Sequence, residues 1–222
     1  MAATVTLDAI RVDQEVDTYL RLADEHLQMG GYTEHGLRHA GLVSHIAHNI
    51  LTRLGHSQRK AELAGIAGYL HDIGNVISRY DHGQTGALMA WQILRDKGME
   101  ARELAVVVAA IGNHEEEYGL AVNDVAAALI LADKSDVHRS RVRSAEPAIF
   151  DIHDRVNYAA TRSFLRVDED ARSITLELTI DTTISPVMDY FEIFLTRMVM
   201  CRRAATRLHR HFQLVINDVR LL

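Results

Sequence analysis

The sequence predicts a mostly α-helical protein that ends in a small β-hairpin and a long last helix. Only two prolines, Pro147 and Pro186, occur in 222 residues, and glycines punctuate the first two thirds at intervals typical of helix ends. After Pro147, two short runs alternate between apolar and polar residues, as strands do. These observations favour a helical domain of residues 1–145 followed by an α+β subdomain of residues 146–222.

Six helices are predicted in the first two thirds of the chain. Thr33, Ser57 and Asn123 are suitable N-caps, because their side-chain oxygens can accept hydrogen bonds from free backbone N–H groups. Glycines that follow apolar segments are suitable stops. The predicted helices span residues 7–29, 34–54, 58–73, 82–97, 100–117 and 124–143.

The C-terminal third is predicted to contain a short helix from Pro147 to about Thr161, a hairpin and a last helix. Strands over 164–168 and 173–181 flank a polar, turn-prone segment. Pro186 is typical of a helix start, and the amphipathic segment 187–212 follows it. The apolar stripe of this helix comprises Phe191, Phe194, Leu195 and Met198. It predicts a contact with the core or with a second copy of the chain, so a homodimer is possible.

Composition narrows the choice of partners and compartment. A net charge of −6 disfavours binding along duplex nucleic acid but allows a small anionic ligand. No apolar run approaches the roughly 18 residues that a membrane helix needs. The first residues lack a basic start followed by an apolar stretch, and Cys201 is the lone cysteine, so we expect a cytoplasmic protein without a secretory signal.

The adjacent pair His71-Asp72 is the most informative feature of the chain. It follows the almost wholly apolar run AELAGIAGYL and is followed at once by Ile73 and Gly74. An ionised carboxylate in such a setting costs several kcal/mol unless another group compensates it. A metal ion is the common compensator for an imidazole and a carboxylate together, so the pair predicts a metal site.

Five short motifs around this pair place ionisable residues near the ends of apolar helical stretches. Helix ends from separate parts of a chain can converge in space, which would bring these side chains to one site. The motifs are TEHGLRH ending at His39, YLHDIG at His71-Asp72, DHGQTG at His82, GNHEE at His114 and LADK at Asp133.

On these motifs, the chain resembles the HD-domain metal-dependent phosphohydrolase superfamily, whose pattern H…HD…(H…H)…D lies on a helical bundle. The spacing of 32 residues from His39 to His71 and the run ELAGIAGYLHDIG fit this pattern, and the resemblance covers residues 33 to 143. It implies an HD-domain bundle. It also implies that His39, His71, Asp72 and Asp133 hold a first metal, that Asp72 bridges, and that His82 and His114 hold a second.

The resemblance implies hydrolysis of a phosphomonoester or phosphodiester of a small substrate, which we expect to be a nucleotide. Imidazoles and carboxylates suit one or two divalent ions of Mn, Fe, Co, Ni, Zn or Mg. Two such ions can lower the pKa of a bridging water towards neutrality and polarise a phosphoryl group. The residues predicted to act in catalysis are Asp72, His35 and Arg141.

The segments around His82 and His114 resemble the HD-GYP branch of the superfamily only in part. Asn113 stands where that branch has a histidine, and EEEYGLAV replaces its GYP segment, which disfavours cyclic-di-GMP hydrolysis. His35, one helical turn before His39, could be an extra ligand, a group that orients a ligand, or a proton donor to the leaving oxygen.

Basic and acidic neighbours of the motifs have both functional and structural interpretations. Arg141 or Arg143 could bind phosphate, since guanidinium forks match phosphate oxygens, or could belong to a solvated helix end. The run Glu115 to Glu117 is predicted to be exposed, with one member orienting His114. Two histidines on the predicted helix of His39, namely His45 and His48, are predicted to be structural or exposed. Five others are predicted to lie at the surface: His26, His56, His153, His209 and His211.

Two other functions remain open at this stage. Some HD-fold proteins place a di-iron pair in the same ligand set and activate O₂, so an oxygenase is one alternative. A metal-binding but inactive regulatory module, acting through its C-terminal subdomain, is the other.

Overall fold

The fold consists of a helical body and a small sheet joined by a long helix. A computed structural model describes residues 4–143 and 151–222. The α-helices are α1 (Leu7–Arg11), α2 (Gln14–Met29), α3 (Leu37–Arg53), α4 (Gln58–Leu70), α5 (His82–Asp96), α6 (Ala101–Gly112), α7 (Asp124–Lys134), α8 (Ile152–Ala159) and α9 (Val187–Arg207). The strands are β1 (Ala160–Asp168), β2 (Ser173–Ile180), β3 (His211–Ile216) and β4 (Val219–Arg220), and 3₁₀ turns span Ile73–Val76 and Arg139–Arg141.

Helix α7 is the central element of the body. Its residues from Val125 to Lys134 are all buried, and a helix that is apolar on almost every side must be surrounded by other elements. It packs against α3, α4, α6 and α9. Residues near its C-terminal end therefore lie deep in the protein, close to the ends of the neighbouring helices.

Two close backbone approaches require glycine near the predicted metal site. A Cβ atom at Gly68 would lie 2.8 Å from Cα of Ser44, where α4 crosses α3. A Cβ atom at Gly74 would lie 2.1 Å from the carbonyl oxygen of His82 and 2.5 Å from the backbone nitrogen of Gly86. The glycine after His71-Asp72-Ile73 thus allows the 3₁₀ turn to touch the start of α5.

The sheet has the strand order β1-β2-β3-β4. Strands β1 and β2 form an antiparallel hairpin, β3 pairs parallel to β2, and β4 turns back antiparallel to β3. Helix α9 connects β2 to β3 and packs against β2, β3 and α7. One helix therefore ties the sheet to the body.

The mostly α-helical class, with a small sheet and a long C-terminal helix, is confirmed, whereas several predicted boundaries are wrong. The segment 7–29 forms two helices, because Asp13 caps the start of α2 by accepting from the N–H of Val16. Thr33 is not an N-cap, since α3 begins at Leu37 after Gly36. Ser57 and Asn123 do cap α4 and α7.

The predicted last helix 187–212 is too long. It ends at Arg207, and His209 adopts a left-handed backbone with φ of 57°. The following segment forms β3, in which Phe212, Leu214 and Ile216 are buried on one face. Its partner β2 lies more than 30 residues away in sequence, so local patterning did not reveal it.

Part of the predicted C-terminal organisation lies outside the described residues. Pro147, the predicted start of a short helix, and the proposed domain boundary between residues 145 and 146 fall in this stretch. Helix α8 begins at Ile152, with Asp151 as its N-cap, and leads directly into β1. No helix in the two described ranges is long and apolar enough to cross a membrane.

Candidate metal centre

Six side chains from five helix ends or adjoining turns meet in one buried cluster, which we call the histidine–carboxylate cluster. Its members are at most 9% exposed. They are His39 in the first turn of α3, His71 at the C-cap of α4 with Asp72 after it, His82 at the start of α5, His114 just after α6 and Asp133 near the end of α7. The sequence-predicted ligands are therefore brought together, while their role as ligands stays a prediction.

The first half of the cluster contains His39, His71 and Asp133. The Nε2 atoms of His39 and His71 lie 3.2 Å apart. Oδ1 of Asp133 lies 3.4 Å from Nε2 of His39 and 3.7 Å from Nε2 of His71. Oδ2 of Asp72 faces the same two nitrogens at 3.6 and 3.4 Å.

The second half contains His82 and His114. Their Nε2 atoms also lie 3.2 Å apart, and Oδ1 of Asp72 lies 3.3 Å from Nε2 of His82 and 3.8 Å from Nε2 of His114. Asp72 thus turns one carboxylate oxygen to each histidine pair, which is the arrangement expected of a bridging carboxylate.

The four histidines share one hydrogen-bonding pattern, which fixes their tautomers. Each Nδ1–H has an oxygen acceptor in the protein, so in the neutral ring each Nε2 carries a lone pair. Paired lone pairs only 3.2 Å apart repel each other unless a cation lies between them. The acceptors are Oδ2 of Asp136 for His39 at 2.7 Å, and the carbonyl oxygens of Gly68 for His71 at 2.8 Å, Arg79 for His82 at 3.0 Å and Ile111 for His114 at 2.6 Å.

The charge state of the cluster also fits a cation. Burial alone raises the pKa of Asp72, but the neighbouring histidines outweigh burial and hold it well below its usual range. Oδ2 of this buried carboxylate has no hydrogen-bond partner among the described residues. Burial lowers the pKa of His114 to about 4, so its ring is neutral at pH 7. Imidazoles and carboxylates buried together in this way are compatible with divalent metal binding.

Comparison with known proteins identifies the family. The HD domain family matches residues 36–159, more than half of the chain. The chain belongs to the HD domain family.

One solved structure similar to this HD-domain chain is that of a predicted HD superfamily hydrolase from an uncultured Thermotogales bacterium. It shares 25% sequence identity, with coverage of 56% of this chain and 68% of the other and a TM-score of 0.44. No curated protein matches the chain. The family and the histidine–carboxylate cluster together support a metal-dependent hydrolase.

The cluster of the HD domain opens into a cavity of about 820 Å³. Asp72, His82, His114 and Asp133 line its floor. Four cationic side chains line it as well, namely Arg79, Lys134, Arg141 and Arg197. Eight acidic side chains line the cavity too, and Lys134 and Arg197 are paired with two of them, Asp133 and Glu116. The cations that remain for an anionic ligand beside the candidate metal centre are Arg79 and Arg141.

Arg141 lies in the 3₁₀ turn after α7 and is 4% exposed. Its Nη1 donates to the carbonyl oxygen of Asp136 at 2.9 Å and its Nε to that of Glu34 at 3.2 Å. Nη2 has no hydrogen-bond partner in the described part of the chain. A buried guanidinium with a free donor in a cavity wall is suited to bind an anion.

Arg143, the alternative phosphate-binding residue, has a different environment. Its Nη2 donates to Oδ1 of Asp24 at 2.5 Å and its Nε to the carbonyl oxygen of Tyr32 at 2.9 Å. It is not among the residues that line the cavity. The helix predicted to continue to residue 143 ends at Lys134, so Arg143 does not belong to a helix end.

His35 lines the cavity beside the cluster, with its ring edge-on to that of His39 at 5.4 Å between centroids. Nδ1–H donates to the carbonyl oxygen of Thr33 at 2.7 Å. Burial lowers the pKa of His35 well below its usual range, and the charge of Arg141 lowers it further. A neutral ring with a free Nε2 disfavours the proton-donor role and leaves the two others open.

Several residues around the site were not assigned their roles from the sequence. Nζ of Lys134 pairs with Oδ2 of Asp133 at 2.7 Å, which leaves Oδ1 facing the histidines. Glu115 is not a simple exposed residue, since it accepts from the N–H of Gly83 at 2.6 Å. Glu116 pairs with Arg197 of α9 at 2.9 Å. Phe194, predicted as core or dimer contact, also lines the cavity.

Proposed function

We propose that the protein is a metal-dependent phosphohydrolase that cleaves a phosphomonoester or phosphodiester of a small substrate, most naturally a nucleotide. The proposal rests on the chemistry that the cluster and the cavity combine. Divalent cations supply Lewis acidity, which activates water and polarises a phosphoryl oxygen. His39, His71, Asp72 and Asp133 would hold one ion, and Asp72, His82 and His114 a second.

The free Nη2 donor of Arg141 is the observation that carries the phosphate assignment. The other nitrogens of this guanidinium are held by carbonyl oxygens of Asp136 and Glu34, so its position is fixed. An ordered guanidinium loses little freedom when it binds a phosphoryl oxygen. Because Arg141 lines the same cavity as Asp72, it would hold the phosphoryl group near the cluster.

The size and charge of the cavity support a small nucleotide. About 820 Å³ lies within the usual range for pockets that bind small molecules. Arg79 and Arg141 both line the cavity and are available to the charge of a phosphate group, whereas Lys134 is paired with Asp133. The net charge of −6 for the whole chain makes extended nucleic-acid duplexes poor ligands.

Elemental analysis followed by a phosphate-release screen tests this function. The purified protein is analysed for metals and then assayed with nucleotides and with bis(p-nitrophenyl) phosphate in Mn²⁺, Fe²⁺, Co²⁺, Ni²⁺, Zn²⁺ or Mg²⁺. We expect bound metal and phosphoester hydrolysis, both of which are lost in Asp72→Ala. Iron with a visible absorption band and no phosphoester turnover would contradict the proposal and favour an oxygenase. Retained metal without turnover on any ester would favour an inactive module.

A further inference from the structure

Asn157 of α8 leaves a buried hydrogen-bond acceptor in the wall of the cavity. The residue is 5% exposed and lines the cavity. Its Nδ2 donates to the carbonyl oxygen of His153 at 2.9 Å, which fixes the amide orientation, because the reverse orientation would set two oxygens against each other. Oδ1 has no partner among the described residues. An acceptor in this state favours a ligand that donates an N–H or O–H group.

The surroundings of Asn157 are partly aromatic and apolar. Ile193 and Phe194 of α9 line the same cavity, and the ring of His153 lies edge-on to that of Phe194 at 6.4 Å between centroids. The ring of Tyr190 packs edge-on against that of Phe194 at 5.2 Å between centroids. Such a surface suits a flat heteroaromatic ring better than a sugar that carries several hydroxyls.

The charged groups of this wall favour hydrogen-bond donors on the ligand. Asp154 of α8 and the N-cap of this helix, Asp151, also line the cavity. The nearby cation, Arg197, already packs over the ring of Phe194 at 4.0 Å and pairs with Glu116. The free groups of the wall are therefore mainly acceptors, whereas the free donor of Arg141 belongs to the part of the cavity that we assign to phosphate.

We infer that this wall, formed by Asn157, His153, Ile193 and Phe194, binds the nucleobase of the substrate and selects bases that carry an exocyclic amino group. The inference rests on the proposed function, since it assigns the substrate's phosphate to the metal centre. Oδ1 of Asn157 accepts a hydrogen bond from the amino group. A site with a buried acceptor rejects an analogue that lacks the donor, because the acceptor is then left unpaired.

Equilibrium binding of nucleotide analogues that cannot be hydrolysed tests the inference without turnover. The probes are nucleoside 5′-methylenephosphonates in three pairs that differ only in the amino group: adenosine and purine riboside, guanosine and inosine, cytidine and 2-pyrimidinone riboside. Titration calorimetry with the Mn²⁺-loaded protein should show about tenfold weaker binding for the analogue without the amino group in at least one pair. Equal binding within all three pairs would overturn the inference.

Variants locate the preference on Asn157. Asn157→Leu should remove the difference within the preferred pair, whereas Asn49→Leu, the same change on α3 outside this cavity, should keep it. If Asn157→Leu kept the preference for the amino group, a residue other than Asn157 would be responsible for it. If Asn157→Leu does not fold, the comparison of analogue pairs on the wild-type protein still tests whether the amino group is preferred. A 2′-deoxy analogue that loses as much affinity as the amino-free analogue would assign the donor to the sugar and contradict the inference.

Turnover of bis(p-nitrophenyl) phosphate separates the two proposals. This ester carries no nucleobase, so its hydrolysis reports on the metal centre alone. Hydrolysis with no amino-group preference would overturn the inference and leave the proposed function intact. An amino-group preference in binding without hydrolysis of any phosphoester would contradict the proposed function instead.

Discussion

Oδ2 of Asp136 accepts a hydrogen bond from Nδ1 of His39 at 2.7 Å, and both side chains are buried. The same oxygen accepts from Nη2 of Arg38 at 2.8 Å. Asp136 thus connects the turn after α7 to the first turn of α3. It sets the ring orientation and tautomer of His39, so that Nε2 faces His71 and Asp133.

We expect Asp136→Asn to lower metal affinity by about 10- to 100-fold, the usual range for a residue that orients a histidine ligand. The neutral amide can still accept the hydrogen bond but no longer raises the basicity of the ring. Competition with a chelator measures the affinity. Asp124→Asn, at the other end of α7 and paired with Lys60, is the matched control. Equal metal affinity in Asp136→Asn and the wild type would show that this contact is only structural.

We expect Asp72→Ala to abolish metal binding at both halves of the histidine–carboxylate cluster, because its two oxygens face different histidine pairs. The helical content should stay close to that of the wild type, since Oδ2 makes no hydrogen bond within the described ranges and Oδ1 accepts one from the neighbouring side chain of Asn75. Elemental analysis and far-ultraviolet circular dichroism measure the two quantities on the same sample.

His48→Ala is the contrasting variant for this test. His48 is half-buried on α3 and lies outside the cluster and the cavity. We expect its bound metal to equal that of the wild type. A large loss of metal in His48→Ala would mean that α3 presents a different face to the site.

The members of the histidine–carboxylate cluster could be predicted because each of them sits in a short local motif. His71 and Asp72 are adjacent, and the others lie near ends of apolar helical stretches, where a buried polar residue stands out. Gly74 is also explained locally, as the residue that lets the 3₁₀ turn approach α5. These features depend only on residues that are close together in the sequence, so they can be predicted from one sequence.

The environment of Arg141 and the wall of the cavity depend on packing between distant segments. No glycine or proline marks the end of α7 between residues 124 and 143. The helix ends at Lys134, where Ser135 bonds back to the carbonyl oxygen of Ala132, and Asp136 bonds to His39 from α3. A predicted continuous helix therefore left open whether Arg141 binds phosphate or belongs to a solvated helix end, and it did not reveal that Arg141 is buried in the cavity wall.

We expect Arg141→Met to lower kcat/KM for a phosphoester substrate by about 10- to 100-fold, the range for a hydrogen bond to a charged group. Arg141→Lys should recover part of the loss in kcat/KM, since lysine restores the positive charge but not the planar guanidinium with its several N–H donors. Arg139→Met changes an exposed arginine of the same turn, which packs on the ring of Tyr158, and should have little effect. Equal losses in the Arg139 and Arg141 variants would indicate that the turn, not the free donor, matters.

The pair formed by Asp24 and Arg143 gives the stability of the fold a defined pH dependence. Burial alone raises the pKa of Asp24, but the hydrogen bonds from Arg143 and from the N–H of His35 outweigh burial and leave the pKa lowered. A carboxylate with a lowered pKa stabilises the folded state fully above its unfolded pKa of about 3.9. That stabilisation is lost as the pH falls through the lower folded-state pKa.

Asp24→Asn tests this dependence. We expect a loss of about 1–3 kcal/mol in the free energy of unfolding between pH 5 and pH 7, because the ionised pair is removed. The difference from the wild type should shrink below about pH 4, where the carboxylate of the unfolded chain becomes protonated, and vanish below the lower folded-state pKa. Urea denaturation at a series of pH values measures it, with the exposed Asp218→Asn as control. A difference that stays constant down to pH 2 would assign the effect of Asp24 to packing, since only an ionised carboxylate makes the contribution depend on pH.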